Sequence, residues 1–392
     1  MTKQAKVELL TFILLCGFIA ASGYHYVMGM YLGKPWPYNT FLFFPADFFA
    51  DFINPVKEIG LPSQPGGVCG YPPFARLFFY VFHAVPRFLG LAALLGVFTV
   101  YYGKKILCHI ATDGGAFRRA AALLVFSFLI YPFLFVLDRA NTECLVFILL
   151  FYAAERLADG RRSGADALGA AAAFKLVPAA CFPLALAAGG WRAAARALAA
   201  FTVLTAASFS VLAVVYSMPP GELWRALLGG MAGYNSGYVS QAVGFIDAHS
   251  LFGLIQAFFI SFSGWFWNWT PQLISSFFLP YFFFAFAAFA AGTLYVARYE
   301  REWWKKVAVC VLMMNLLPYV SSDYKLLHLV IPLCFFVNAR PAKNDLAYTL
   351  LFGLLLTPKS YVLPGQLIAG IVVNPLLMCA MAALIVREGL RR

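Results

Sequence analysis

Charge is what this chain has least of. Only 12% of its 392 residues are Asp, Glu, Lys or Arg, about half the share of a soluble domain, and so few cannot make a water-facing surface. The chain also lacks a strand leading through a glycine-rich turn into a helix, and it has no soluble region large enough for a nucleotide-binding domain. Nucleotide-sugar machinery is therefore not expected. No Cys, His or acidic cluster has metal-ligand spacing, and neither metal nor other cofactor is expected. Of eight cysteines, Cys16, Cys108, Cys144, Cys181, Cys310, Cys334 and Cys379 lie in or beside apolar segments. Cys69 alone falls in a predicted outer loop, so no disulfide framework is indicated.

Apolar residues, at 62%, dominate instead. Leu9–Met30, Ala120–Leu137, Ala197–Tyr216, Ser276–Ala297 and Gln366–Val386 reach or approach the roughly 20 residues of a membrane span. The net charge of +12 invites a nucleic-acid reading, but the basic residues form short clusters between apolar segments. These are Lys104/Lys105, Arg118/Arg119, Arg161/Arg162, Arg192/Arg196, Arg298 to Lys306, Arg340/Lys343 and Arg387/Arg391/Arg392, the pattern of cytoplasmic loops in a membrane protein. Membrane lipids, not nucleic acid, are the expected surroundings. The first apolar stretch follows Lys3 and Lys6 without a small-residue cleavage site and reads as a retained helix.

Placing each cluster inside gives one integral membrane domain over residues 1–392 with about eleven or twelve spans. Residues 31–75 form a first outer loop and residues 218–272 a second outer region, where Trp265, Trp267 and Trp269 suit a membrane interface. Between Arg162 and Trp191 an apolar stretch interrupted by Pro178 reads as a broken or re-entrant pair, since irregular backbone persists at membrane depth only where protein or a cavity covers it.

Charged groups near apolar helices are costly and are functional candidates by default. Asp47 and Asp51 stand among phenylalanines in the first outer loop, ahead of Tyr71, Pro72 and Pro73. Desolvation there raises proton affinity and suits a general base, with solvated loop acids or helix caps as the alternative. Asp138, Arg139, Asn141 and Glu143 make a charged outer turn, or a self-satisfied cap. Lys175 lies between two apolar half-segments, placed for an anionic headgroup unless it snorkels. Asp323, Tyr324, Lys325 and His328 follow, and helical spacing puts Lys325 and His328 on one face. An internal Asp–Lys–His network is the alternative.

Together the Asp-bearing loop with Tyr71-Pro72-Pro73, the Asp138-Arg139-Ala140-Asn141-Thr142-Glu143 turn, Phe174-Lys175-Leu176-Val177-Pro178 and Ser322-Asp323-Tyr324-Lys325-Leu326-Leu327 resemble glycosyltransferase family 87. The resemblance spans about residues 36–333; the last motif departs from the Trp-and-His form of many members. It implies an all-α polytopic membrane protein of the GT-C type, like the mannosyltransferases of that family. Its activity would be inverting transfer of a sugar, mannose or another hexose or pentose, from a polyprenyl-phosphate donor to a lipid or glycan acceptor. The site would face the periplasm or exterior of a bacterial inner membrane.

One carboxylate must take the acceptor's proton, and Asp51 is preferred over Asp47 because it lies farther into the loop where the family carries its catalytic aspartate. The leaving phosphate needs positive charge, for which Lys175, Arg139, Lys325 and His328 are candidates. A transporter or flippase of lipid-linked sugars is the competing reading, weakened because no second broken segment appears in the other half. A scaffold protein leaves the acids and bases gathered on one side unexplained.

Overall fold

The computed structural model describes residues 1–42, 44–59, 70–111, 115–234, 237, 239, 248–261, 270–363 and 367–391. Cys69, Trp265, Trp267, Trp269, Gln366 and Arg392 lie outside these residues, as do residues 60–69 and 240–247 of the two predicted outer regions. Within them the chain is helical, with isolated bridges at Ala248–Ser322 and Val362–Ile368 and no strand. It is an all-α polytopic membrane protein. Among the described residues, five helical stretches are long and apolar enough to cross a membrane: Lys3–Tyr31, Arg87–His109, Val177–Val215, Phe278–Arg298 and Ala369–Gly389. Ala120–Leu137, expected as one span, falls in a bent pair, Ala116–Phe128 and Tyr131–Arg139, meeting at 61°. Pro132, in the first turn of the second piece, lacks the N–H and the ring space for a continuous helix. Further spans of the sequence count fall on shorter helices, among them Glu143–Ala158, Ser163–Phe174 and Trp303–Leu316.

The chain forms two compact units, one of residues 1–48, 99–139 and 245–392, the other of residues 49–98 and 140–244. In the first, the helix Lys3–Tyr26 is capped by Thr2, whose hydroxyl accepts the Ala5 N–H at 3.2 Å. Its buried residues Lys6, Leu10, Leu14, Ala21 and His25 form one stripe, while Phe12, Leu15 and Ile19 are exposed as lipid-facing groups are. Gly353 lets this helix approach Asp345–Leu356, for a β-carbon at 353 would stand 2.9 Å from Ile13. Buried Lys6 is tolerated because its ammonium lies 3.3 Å from the Asp345 carboxylate and 3.1 Å from the Phe336 carbonyl oxygen. Trp303–Leu316 and Val330–Val337, buried along most of their length, make the centre. Phe278–Arg298 instead exposes Leu279, Phe282, Phe283, Phe284 and Phe286.

The second unit is organised by small residues. Ser163–Phe174 consists largely of alanine and glycine and lies between Glu143–Ala158 and Phe182–Val215. A β-carbon on Gly164 would meet Leu157 Cγ at 2.7 Å, and one on Gly169 would stand 2.4 Å from the Ala197 carbonyl oxygen. No side chain fits at 169 without moving a helix axis, and contact this close maximises dispersion between helices where lipid gives no hydrophobic drive. The chain leaves this helix at Lys175, with extended φ −140° and ψ 136°, and passes through a 3-10 turn at Val177–Cys181. The expected break at Pro178 thus opens at the lysine itself. A second break follows within Phe182–Val215 at Gly189 and Gly190, where Gly190 takes φ +65°, open to glycine and strained for other residues.

Candidate functional site

In the second unit four polar residues from three stretches of sequence meet around Asn141. The Asn141 side chain folds onto the start of Glu143–Ala158, its Oδ1 accepting the Glu143 N–H at 2.9 Å. That oxygen also accepts from Lys175 Nζ at 2.8 Å, while Asn141 Nδ2 donates to Asp51 Oδ2 at 2.5 Å. Two donors on one side and a carboxylate on the other fix which way the amide faces. Lys175 Nζ also pairs with Glu143 Oε1 at 2.9 Å. Asn141 and Glu143 are each 2% exposed, while the Lys175 side chain is 14% exposed. A break in the backbone at Lys175 thus turns its ammonium onto the first turn of a neighbouring helix.

Two strained residues stand next to this cluster. Phe49, at φ 58°, precedes the helix Ala50–Glu58 that carries Asp51 in its first turn, and Ala140, at φ 48°, precedes Asn141. Neither is glycine, so each left-handed turn is held by its surroundings. The expected aromatic shield around both loop acids proves uneven. Phe52 is fully buried against Phe79 and Phe82 and Asp51 is half-buried, whereas Phe48 and Asp47 are exposed.

Tyr71 packs its ring edge-on to Phe79 at 5.0 Å, and its carbonyl accepts from Arg76 Nε at 3.0 Å. Arg76, 2% exposed in Pro73–His83, was not singled out from the sequence although a cation in an apolar helix is a usable signal. Tyr234 had no signal among twenty tyrosines. Its phenol is pushed up to about 12, first by burial and then by the negative charge of Asp51, and so keeps its proton at neutral pH.

An apolar groove of about 650 Å³ runs along this unit, lined by Tyr71, Leu176, Phe201, Phe209, Trp224 and Met231 among others. Leu176, in its wall, directly follows Lys175 of the polar cluster in sequence. Among the described residues no group of His, Cys, Asp and Glu could hold a metal ion.

The remaining sequence candidates belong to the first unit. Arg139 Nη1 donates to the main-chain oxygen of Asp47 at 3.1 Å. Asp323 opens a 3-10 helix, Asp323–Leu329, whose three-residue turn keeps Lys325 and His328 on one side. Their surroundings differ: Lys325 is half-buried and donates to the Val320 carbonyl at 3.2 Å, while His328 is fully buried. Tyr324 lies 5.9 Å from the Phe135 ring.

Asp323 Oδ1 lies 3.1 Å from His249 Nδ1 and 3.2 Å from Asn374 Nδ2, and His249 Nε2 lies 2.9 Å from Asn315 Oδ1. Lys359 is buried nearby, held by the Thr357 carbonyl at 2.8 Å, and burial pulls it down to about 8 against the opposing pull of the Asp323 charge. The network sits in an interior where each polar atom needs a partner. Its members His249, Asn315, Lys359 and Asn374 escaped the sequence reading, since each stands alone in its own stretch.

The sequence profile of glycosyltransferase family 87 matches residues 70–318, a stretch that contains Tyr71, Arg139, Asn141, Glu143 and Lys175. Comparison with curated proteins gave no match. With more than half of its length inside that profile, this multi-pass membrane protein belongs to glycosyltransferase family 87 and is a glycosyltransferase.

Proposed function

We propose that the protein, with a GT-C architecture, moves a sugar from a polyprenyl-phosphate carrier to a lipid or glycan acceptor at the extracytoplasmic face of a bacterial inner membrane. The sugar is mannose or another hexose or pentose. The observation that carries this reading is the Asp51–Asn141–Lys175–Glu143 cluster in the same unit as an apolar groove walled by Leu176, the residue after Lys175. A base, a fixed cation and a greasy channel are what transfer from a lipid-linked phosphate requires. The groove is of ligand size, and its apolar walls suit a polyprenyl chain better than a nucleotide.

The chemistry follows from these groups. Asp51 takes the acceptor hydroxyl's proton as that oxygen attacks the anomeric carbon, and the bond from that carbon to the phosphate oxygen breaks. Polyprenyl phosphate leaves, already ionised, so it needs positive charge and no acid; attack from the opposite side inverts the centre. Asn141 sets the Asp51 rotamer, and Glu143 and Asn141 hold the Lys175 ammonium in place for the phosphate. The sequence motifs leave Arg139, Lys325 and His328 as further candidates for the phosphate charge.

Basic-loop asymmetry puts Asp47, Asp51, Arg139 and Asp323 outside and Arg161, Arg192, Arg301 and Arg392 inside. Impermeant labelling of single cysteines tests this, and labelling of position 161 from outside overturns it. The activity is tested by incubating purified protein with labelled polyprenyl-phosphate sugars. Release of polyprenyl phosphate with sugar on the acceptor is expected. Movement of the intact lipid-linked sugar across a vesicle membrane without release would favour a flippase.

A further inference from the structure

The first unit holds a second cavity, of about 410 Å³, whose walls include none of the residues named above as part of the transfer chemistry. It lies between the start of the helix Trp303–Leu316 and residues 335–342, with Glu302, Trp303, Trp304, Phe335, Arg340 and Pro341 in its walls. Trp304 donates its indole N–H to Glu302 Oε2 at 2.9 Å, but the buried Trp303 Nε1 has no partner among the described residues. A buried donor of this kind calls for an acceptor.

The charge around the cavity has the same sense. Arg301, Lys306, Arg340 and Lys343 make no ion pair among the described residues. The nearby acids are occupied: Glu302 by Lys305 at 3.4 Å, Asp345 by Lys6 at 3.3 Å, and Glu300 by the Tyr295 hydroxyl at 2.7 Å and the Arg301 N–H at 2.8 Å. The helix that begins at Trp303 adds its positive end. Besides Arg340 and the Lys305-paired Glu302, the walls carry indole, phenyl, pyrrolidine and methyl groups, which a small hydrated anion does not use but glycerol and acyl carbons do.

We propose that this cavity binds the phosphodiester headgroup of an anionic phospholipid. Arg340 and the Trp303 indole N–H donate to its phosphate oxygens, and the Trp303, Trp304 and Phe335 rings cover its glycerol and first acyl carbons. The site is independent of the transfer reaction.

The test uses delipidated full-length protein in an uncharged detergent, titrated with phosphatidylglycerol, phosphatidylcholine or glycerol 1-phosphate, with binding read by native mass spectrometry. Saturable binding of phosphatidylglycerol about tenfold tighter than that of phosphatidylcholine is expected, with glycerol 1-phosphate weaker than either by a wide margin. Arg340→Ala and Trp303→Phe should each weaken phosphatidylglycerol by about fivefold, with lipid-free melting unchanged, while Arg225→Ala leaves binding as in wild type. Equal binding of the two phospholipids, full phosphatidylglycerol affinity in both cavity variants, or glycerol 1-phosphate binding as tightly as phosphatidylglycerol would each overturn the proposal. The last outcome would make it a site for a soluble phosphate.

Discussion

Asn141 holds Asp51 by an amide nitrogen 2.5 Å from a carboxylate oxygen, across ninety residues of sequence. An amide is the side chain that can donate to that carboxylate while accepting from Lys175 on its other side. Asn141→Asp keeps the shape but turns an acceptor toward Asp51. Two carboxylates so close share a proton, which raises the apparent pKa of the base. The acid limb of the kcat/KM profile should move up by about one pH unit or more; an unshifted limb would show that Asn141 does not govern the base.

Asp51 and Asp47 separate in the same assay. Asp51→Asn keeps size and removes the base, so turnover should fall by roughly a hundredfold or more with donor binding retained. Asp47 is exposed, and Arg139 holds its main-chain oxygen rather than its carboxylate. Asp47→Asn should therefore be milder. The opposite ranking exchanges their roles, and two active variants would remove the loop from the chemistry.

Lys175 carries structure as well as proposed catalysis, because Glu143 beside it is buried. Lys175→Ala should abolish transfer and also cost up to about 3 kcal/mol, the loss of a buried pair reduced by partial exposure. Lys175→Ala with Glu143→Gln removes the stranded charge, and melting should recover toward wild type while transfer stays lost. Transfer that returns together with stability would show the lysine to be structural.

Lys359 makes a pH prediction. Its folded value, about 8, lies below the ordinary 10.5 because burial disfavours the ammonium. Below pH 8 it is charged in both states and the burial penalty is full; above about 10.5 it is neutral in both. Between these limits the unfolded chain holds a proton that the folded one has released, so stability rises with pH. The melting temperature of wild type minus that of Lys359→Met should climb across this window. A flat difference from pH 7 to 10.5 would refute it.

The membrane class and the break near Lys175 were legible in the sequence, because apolar runs and their interruption are local signals. Asp51, Asn141, Glu143 and Lys175 also stood out singly, as polar groups in apolar surroundings do. What joins them was not legible: nothing local marks Asn141 as the hub, since its role comes from where packing delivers Asp51 and Lys175. The same holds for His249, Asn315, Lys359 and Asn374 around Asp323. The 61° bend was missed because both halves are apolar and the length of the run fitted one crossing.

Gly169 sets a mechanical tolerance for chemistry it never touches. Side chains that interlock can absorb a change by turning to new rotamers, but the contact at 169 is main chain against main chain, 2.4 Å from the Ala197 oxygen to where a β-carbon would be. Lys175 hangs six residues further along the same rod, roughly 9 Å at helical rise. Its ammonium works within hydrogen bonds of 2.8 and 2.9 Å, which accept errors of a few tenths of an ångström. One methyl group at 169 displaces the rod by more than that. The alignment of the lysine is thus machined into a residue with no side chain, and a loss of activity traced to position 169 would be a fault of fit with every polar group still in place.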